Sequence, residues 1–311
     1  MTKPGQPAAA AIQQVLGELD PQLRLVRAAP LEGGASAQVT AIDAVGPDGR
    51  MCNLVLRQYG PANLRTDPQS AAHEHHLLTL LHQAGLPVPR PWHADESGTI
   101  LPGPYLVAGY IDGEPGNTPR LIATPPPAFT RQLAVALASL HKVGVRPADA
   151  PFLTAIADTA SHLMGTCPTH LDEALNEAAV RGALARMGPP PSVNDGVILH
   201  GDYWPGNTLW RDGMLVGLID WEDAQTGDPL ADLANARMEL CMLFSLAISD
   251  EFTSDYLALM PGLDLRALPY WDLYAGLRHA GRMGEWGLSP AELIRLQAGH
   301  REFTERALTR L

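Results

Sequence analysis

The sequence has no long hydrophobic run and little cysteine, and both absences limit the class of protein. Its longest strongly apolar segment, residues 240–248, has about half the length that crosses a bilayer. The first ten residues lack the basic start and apolar core of a signal peptide, so we expect no membrane or secretory targeting. A reducing cytoplasm fits the few, widely spaced cysteines, which indicate neither a disulfide framework nor a zinc knuckle: Cys52, Cys167 and Cys241.

Positive charge is also scarce. The chain carries 22 basic against 34 acidic residues, a formal net charge of −12. A general nucleic-acid binder needs a basic surface, so we expect no nucleic-acid partner. Between residues 200 and 260 there are eleven Asp or Glu, two Arg and no Lys. Such a segment is typical of a solubilising surface, or of a site that holds metal ions or cationic substrates.

The length of 311 residues, with 46% apolar and 18% charged residues, suits a globular protein of two lobes. The first third of the chain alternates apolar and polar residues in short runs, and G-P-D-G at 46–49 is typical of a hairpin turn. These patterns predict a helix over 7–19, strands over 23–31, 37–45 and 51–59, a helix over 71–84 and a buried strand over 104–111.

Beyond residue 111 the pattern becomes mostly helical. It predicts one helix over 129–142, two within 152–187, short strands at 197–199 and within 208–219, and four helices from Pro229 onward. The expected fold class is therefore α+β in two lobes, with a small antiparallel-sheet lobe over 1–110 and a mainly helical lobe over 111–311.

Residues 200–207, H-G-D-Y-W-P-G-N, place an Asp and an Asn five positions apart in a Gly/Pro loop. The turn residues Asp212 and Gly213 then fold the following strands into a hairpin, which brings Asn207 and Asp220 to the same end. Their oxygens are ligands that Mg²⁺ accepts, and Asp202 can accept a proton from an attacking hydroxyl. The alternative is that Asp202 and Asn207 merely cap a turn.

The loop, followed in order by L-I-D-W-E-D and G-D-P-L-A-D-L-A, resembles the aminoglycoside phosphotransferase family, small-molecule kinases with a protein-kinase-like fold. In the kinase catalytic loop the same spacing separates a catalytic Asp from a metal-binding Asn. The resemblance implies that Asp202 is the catalytic base and that Asn207 and Asp220 bind Mg²⁺. It also implies that Asp232 braces the loop. For His200 a catalytic role stays open, and a packed, hydrogen-bonded scaffold role is the preferred interpretation.

The same resemblance assigns ATP to the N-terminal lobe, with GTP not excluded. Gly33, Gly34 and Ser36 lie in L-E-G-G-A-S between two predicted strands and would cover the phosphates. Arg57 stands where the family carries a Lys, and Glu74 would be its helical partner. Arg is also a permanent cation that binds phosphate, but the two residues are not interchangeable at a close-packed site.

Ala108 and Tyr110 resemble the hinge, whose backbone groups would pair with adenine. The chain has no Asp-Phe-Gly or Ala-Pro-Glu motif, and only eight positions separate Asp220 from Asp228, which leaves no room for an activation loop. A small-molecule substrate is therefore expected, in a pocket walled by residues 145–196 and the C-terminal helices.

We therefore expect an ATP- and Mg²⁺-dependent phosphotransferase that acts on a small-molecule hydroxyl, such as that of an aminoglycoside, another amino alcohol, an antibiotic or a metabolite. The segment Y-W-D-L-Y at 270–274 would equally suit an apolar acceptor, although core packing is the preferred interpretation. Two alternatives stay open. Arg57 alone favours a non-catalytic nucleotide-binding pseudokinase, and His200 with Asp202 and Asp220 would suit a metal hydrolase. The oligomeric state is left open.

Overall fold

A computed structural model describes residues 4–31 and 37–311. Contacts between Cα atoms divide the chain into two compact units, Met1–Asp112 and Gly113–Leu311. None of the helices in the described parts of the chain has both the length and the apolar character needed to cross a membrane.

The first unit is built on a five-stranded antiparallel sheet with strand order β1-β2-β3-β5-β4. Its elements are α1 Ala9–Leu19, β1 Arg24–Pro30, β2 Ala37–Val45, β3 Met51–Tyr59, α2 Pro61–Thr66, α3 Ser70–Gln83, β4 Pro91–Asp95 and β5 Tyr105–Gly109. The predicted hairpin turn is confirmed, because the Gly46 N–H donates to the Arg50 carbonyl at 2.9 Å. Apolar residues of α1 pack on the sheet around Ile42 and Leu54 and form the core.

Strand β4 was not predicted, because the prolines of residues 86–91 interrupt the apolar pattern. The structure explains how they are tolerated. Strand β4 begins at Pro91 and lies at the edge of the sheet, where a missing N–H costs no hydrogen bond between central strands.

The second unit is mainly helical, as predicted. Its helices are α4 Pro119–Ala123, α5 Phe129–His141, α6 Ile156–Gly165, α7 Glu177–Met187, α8 Leu230–Leu243, α9 Leu246–Leu259, α10 Leu268–Arg278 and α11 Pro290–Leu308. Its strands form two small sheets: β6 Glu114–Pro115, β8 Thr208–Arg211 and β9 Met214–Leu218 in one, and β7 Val197–Leu199 with β10 Gln225–Gly227 in the other. The four predicted helices after Pro229 are all present.

Helix α8 is the centre of this unit, since every residue from Leu230 to Met242 is buried. Four of those buried residues are polar or charged: Asp232, Asn235, Arg237 and Glu239. A buried polar side chain is costly unless it has a hydrogen-bond or ionic partner. Helix α8 is therefore surrounded by specific hydrogen-bond partners, and three of them lie in the segment 200–203: His200, Gly201 and Tyr203.

Helix α10, which carries the aromatic residues of segment 270–274, packs on α8. Trp271 and Tyr274 are buried and contact each other edge to face, with ring centroids 5.7 Å apart. Core packing is therefore their role in the structure, and the segment offers no exposed aromatic platform.

A buried histidine in α11 links stability to pH. His300 donates Nε2–H to the Gly276 carbonyl at 2.8 Å, and burial lowers the pKa of the imidazole to about 4. In the unfolded chain His has a pKa near 6.5, so between about pH 6.5 and pH 4 the imidazole is protonated in the unfolded state and neutral in the folded state. The free energy of unfolding therefore decreases as pH falls through this range.

We predict that His300→Gln, which keeps an N–H donor but cannot titrate, flattens this dependence. Between pH 7.5 and 4.5 the wild-type protein should lose about 2–3 kcal/mol more unfolding free energy than the variant. Urea unfolding at both pH values measures the difference. His82→Gln is the control, since His82 is an exposed residue of α3. Equal losses in wild type and His300→Gln would contradict the linkage.

Candidate active site

The loop that carries Asp202 connects β7 to β8 and depends on a glycine at its first turn. Gly201 has φ +79°, a conformation that favours glycine, and a Cβ at this position would lie 1.7 Å from the Asp223 carbonyl oxygen. The chain before Asp202 therefore passes directly against the segment after β9. This close approach brings two separate parts of the sequence into one site.

Asp232 of helix α8 holds the backbone of the loop, as the sequence predicts. Its carboxylate accepts hydrogen bonds from the backbone N–H of His200 at 2.7 Å and of Gly201 at 2.9 Å. His141 Nε2 lies 3.2 Å from the same carboxylate, and Tyr256 OH lies 2.6 Å from His141 Nδ1. Burial by itself raises the pKa of Asp232, but the hydrogen bonds from His141 and His200 outweigh it and hold this pKa below its usual value.

His200 is fixed by hydrogen bonds on both sides of its ring. Nε2 lies 3.0 Å from the Ile219 carbonyl, which can only accept, so Nε2 carries the proton. Nδ1 then accepts from the Asp202 N–H at 3.4 Å. Both nitrogens are thus used within the protein, as expected for a scaffold residue and not for a metal ligand or a catalytic base.

Asp202 and Asn207 contact each other directly. Asn207, only 7% exposed, donates Nδ2–H to the Asp202 carbonyl at 2.9 Å and to Asp202 Oδ2 at 3.0 Å. The Asn207 backbone carbonyl accepts from the Ile219 N–H at 3.0 Å, which places Asp220 next in the chain. The hairpin that joins Asn207 to Asp220 turns at Asp212-Gly213. Both turn residues have positive φ, as a two-residue hairpin turn of type I′ requires.

Asp220 itself has φ +64°, a left-handed conformation that Asp tolerates better than most residues. Its neighbour Asp223 reports on the local charge. Burial raises the pKa of Asp223, the positive charge of Arg278 opposes this rise, and the negative charges of Asp202 and Asp220 add to it. Three carboxylates and one guanidinium therefore share one electrostatic environment.

The donor set suits Mg²⁺. Because Asn207 turns its Nδ2 toward Asp202, its amide oxygen is on the other branch of the side chain, and Asp220 supplies a carboxylate. Mg²⁺ is often bound by one or two protein oxygens together with waters and substrate phosphates. Within residues 4–31 and 37–311, no group of three or more His, Cys, Asp or Glu side chains is arranged to hold a metal.

In the first unit, Arg57 of β3 and Glu74 of α3 form the predicted pair. Arg57 Nε lies 3.6 Å from Glu74 Oε2, and the Arg57 side chain is 14% exposed. Tyr59, two residues further along the same face of β3, donates its OH to Glu74 Oε2 at 2.7 Å. Sequence reasoning missed Tyr59, although its position two residues after Arg57 places it on the same side of the strand.

The remaining predicted nucleotide contacts are placed only in part. Ala108 lies in β5, paired with Val55 and with Pro91. The Tyr110 N–H donates to the Asn53 carbonyl at 3.0 Å, so a contact from Tyr110 to adenine would have to use its carbonyl or its ring. Gly33, Gly34 and Ser36 lie outside the described residues, and their roles stay predictions.

Two further residues reach the loop without having been predicted. Arg278, at the end of α10, donates Nη1–H to the Gly201 carbonyl and to Asn235 Oδ1, both at 2.7 Å. Asn235 could have been found, since it lies one helical turn after Asp232 on α8. Arg278 carries no sequence signal, because it lies 76 positions after Asp202 in a helix whose pattern indicates core packing.

The close approach at Gly201 can be tested by adding a single methyl group. We predict that Gly201→Ala lowers the free energy of unfolding by about 2–5 kcal/mol, because it adds left-handed strain to a backbone clash. Gly262→Ala is the control, because no atom lies within 4 Å of a Cβ built there. Urea unfolding of both variants measures the contrast, and similar values would show that the loop yields easily at Gly201.

Several known proteins are similar to this chain. A chicken (Gallus gallus) protein, acyl-CoA dehydrogenase family member 11, is 25% identical over 190 residues; the match covers 58% of this chain and 24% of the relative, so the chain spans about a quarter of that protein. A macrolide 2'-phosphotransferase from Brachybacterium faecium superposes with a TM-score of 0.61 at 22% identity, covering 96% and 97% of the two chains. Amicoumacin kinase, solved with AMP-PNP, Ca²⁺ and its ligand, gives 0.61 at 16% identity, covering 94% and 93%.

The fold is therefore that of the small-molecule kinases: an α+β fold with two units, one built on a small antiparallel sheet and one mainly helical. A model of the phosphotransferase enzyme family matches residues 27–268, well over half of the chain and including the whole of the loop and hairpin that carry Asp202, Asn207 and Asp220. The chain belongs to this phosphotransferase enzyme family, the family of the aminoglycoside phosphotransferases.

Proposed function

We propose that the protein transfers the γ-phosphate of ATP to a hydroxyl group of a small molecule, with Mg²⁺ as cofactor. The observation that carries the proposal is the arrangement of Asp202, Asn207 and Asp220. Asn207 donates to Asp202 Oδ2 at 3.0 Å, and its backbone carbonyl binds the residue before Asp220. Membership of the phosphotransferase family supports the reaction class, and the AMP-PNP in the structure of amicoumacin kinase supports the choice of nucleotide.

Asp202 is the proposed base. Its Oδ2 is held by Asn207, so Oδ1 is the oxygen that would accept the proton of the attacking hydroxyl. The nearest guanidinium nitrogen, Arg278 Nη2, lies 3.9 Å from Oδ1, too far for a hydrogen bond. Oδ1 is therefore not hydrogen-bonded to that guanidinium and can orient and deprotonate the hydroxyl of an acceptor.

Asn207 and Asp220 would hold Mg²⁺ through the Asn207 amide oxygen and the Asp220 carboxylate. When bound, the metal neutralises negative charge on the phosphates of the nucleotide. Both ligands are fixed by the same backbone hydrogen bond between Asn207 and Ile219, so their spacing does not depend on a mobile side chain alone.

Arg57 would contact the α- and β-phosphates in place of the expected Lys. Its guanidinium is permanently charged and can bind phosphate oxygens through two parallel hydrogen bonds. Glu74, itself held by Tyr59, fixes the direction of the Arg57 side chain.

The acceptor is proposed to be an alcohol that also carries an amine. Glu222 and Asp223 are exposed just after Asp220, and these carboxylates can attract the ammonium group of an acceptor. Burial is the main cause of the raised pKa of Asp223, and the negative charges of Asp202 and Asp220 add to it. The aromatic residues that would have favoured an apolar acceptor, Trp271 and Tyr274, are buried in the core.

The two alternative functions have less support. A non-catalytic pseudokinase is not favoured, because the chain belongs to a phosphotransferase family and carries Asp202, Asn207 and Asp220 in one loop and hairpin. A metal hydrolase would use His200 as a ligand, and both nitrogens of that ring are engaged by Ile219 and Asp202.

The first prediction for this function concerns the base. With MgATP and the best acceptor found in a library of hydroxylated amines, Asp202→Asn should lower kcat about 10²- to 10⁴-fold, since the side chain can no longer take a proton. The Kd for MgATP, measured by calorimetry, should stay within a few-fold of wild type.

Asp212→Asn is the matched control, because Asp212 is exposed at the hairpin turn and Asn also tolerates its positive φ. If wild type transfers phosphate and Asp202→Asn transfers it equally fast, Asp202 is not the base. If wild type phosphorylates no member of the library and does not hydrolyse ATP, the proposed function itself fails.

The second prediction concerns the nucleotide. Arg57→Met should weaken MgATP binding by about 10- to 100-fold, because charge-assisted hydrogen bonds to the phosphates are lost. Calorimetry with MgATP measures the change. Arg65→Met, at an exposed position of α2, is the control and should bind as wild type does. Unchanged affinity in Arg57→Met would remove Arg57 from the phosphate site.

A further inference from the structure

The backbone on both sides of Asp202 is held by two side chains that do not belong to the loop. Before Asp202, the Gly201 carbonyl accepts from Arg278 Nη1 at 2.7 Å. After Asp202, the Tyr203 carbonyl accepts from Asn235 Nδ2 at 3.2 Å. Asn235 Oδ1 and Arg278 Nη1 then join each other at 2.7 Å. A continuous chain of hydrogen bonds therefore spans the base from Gly201 to Tyr203.

We propose that Arg278 and Asn235 form a clamp that positions Asp202 for proton transfer. The inference rests on the proposed function, in which Asp202 is the base. Arg278 and Asn235 are positioning residues: they contact the backbone around Asp202, and neither has to touch the acceptor.

The side-chain amide of Asn235 fits its place in the clamp in only one orientation. Its Nδ2 donates to Tyr203 and its Oδ1 accepts from Arg278, so each end of the amide has one partner of the right polarity. Asn235 lies in the buried helix α8, one turn after Asp232, which holds the N–H groups of His200 and Gly201. Helix α8 thereby holds three residues of the loop: His200 and Gly201 through their N–H groups and Tyr203 through its carbonyl.

Arg278 adds charge as well as geometry. Its Nη2 lies 3.9 Å from Asp202 Oδ1 and 3.9 Å from Asp223 Oδ2, and its side chain is 23% exposed. At that distance it attracts both carboxylates and hydrogen-bonds to neither. The guanidinium thus holds Asp202 between Asn207 and itself and leaves Oδ1 as a proton acceptor.

Direct binding of the acceptor by Arg278 is a competing role that the packing does not favour. The cavity beside Arg278 is lined by residues of the loop, α6, α8 and α10, and its volume is about 10 Å³. That volume holds one water at most, so a substrate does not fit there. Nη1 is occupied by its hydrogen bonds to Gly201 and Asn235.

Arg278 also lies beyond residue 268, where the match to the family model ends. The contacts of Arg278 in this chain define the clamp, and the segment that matches the family model does not contain all of it. Asn235 lies inside that segment, so the two halves of the clamp come from different parts of the chain.

The test compares Arg278→Met, Asn235→Ala and the double variant, with MgATP and the best acceptor from the library or, failing one, water as acceptor in ATP hydrolysis. A base displaced by about 1 Å can lose about 10²-fold in rate, so we expect each single variant to lower kcat about 10- to 100-fold. KM for the acceptor and Kd for MgATP should change less than threefold. The double variant should be no slower than Arg278→Met, because both changes break one clamp.

Controls separate positioning from general loss of structure. Arg282→Met, four residues after Arg278 and exposed, should behave as wild type. Arg278→Lys keeps the charge but cannot reproduce the planar fork, so it should stay slow, whereas added guanidinium chloride at millimolar concentration should speed Arg278→Met more than NaCl does. Hydrogen exchange of the segment 199–208, which needs no activity, should be about tenfold faster in Arg278→Met.

Each outcome bears on one claim. If wild type is active and Arg278→Met keeps kcat within twofold with unchanged exchange, the clamp does not exist as proposed. A rise confined to the acceptor KM would make Arg278 an acceptor-binding residue and overturn the positioning role. If wild type itself shows no phosphotransfer and no ATP hydrolysis, the proposed function fails, while the exchange data still confirm or contradict the clamp.

Discussion

The candidate site depends on one buried carboxylate. Asp232 lies inside the most buried helix of the second unit, where a charge without partners would be strongly destabilising. It is accommodated because the His200 and Gly201 N–H groups and the His141 ring all contact it. The lowered pKa of Asp232 means that these contacts favour the ionised form. If the loop before Asp202 left α8, the Asp232 charge would lose its partners, so the position of Asp202 follows from the electrostatics of the core.

The hairpin β8–β9 supplies the other half of the site through Ile219. The Ile219 N–H donates to the Asn207 carbonyl, and the Ile219 carbonyl accepts from His200 Nε2, each at 3.0 Å. Both backbone groups of Ile219 are therefore bonded to the loop that carries Asp202. This double attachment explains how the next residue, Asp220, is kept in a left-handed conformation that costs energy for a non-glycine residue.

Features that depend on local spacing could be predicted from the sequence, and features that depend on remote partners could not. The G-P-D-G and Asp212-Gly213 turns and the helices after Pro229 follow from local patterns, and the structure contains them. Arg278 was missed because a polar residue in a helix does not reveal which distant carbonyl it meets, whereas the position of Asn235, one turn after Asp232, could have indicated it. Strand β4 was missed because prolines obscure an edge strand. The Tyr110 N–H donates to the Asn53 carbonyl, and the contact of Tyr110 with adenine stays a prediction. The roles of the nucleotide-site residues are still predictions.

Arg57 is the departure from the family pattern that the geometry makes chemically reasonable. The sequence contains two lysines, Lys3 and Lys142, and the described strands of the first unit contain no Lys. An ammonium has a single nitrogen, which must serve both the helical carboxylate and the phosphates. A guanidinium has three, and Arg57 approaches Glu74 with Nε at 3.6 Å, the nitrogen nearest its backbone. Tyr59 donates its OH to Glu74 Oε2, the oxygen that lies 3.6 Å from Arg57 Nε, and this hydrogen bond fixes the carboxylate beside the guanidinium.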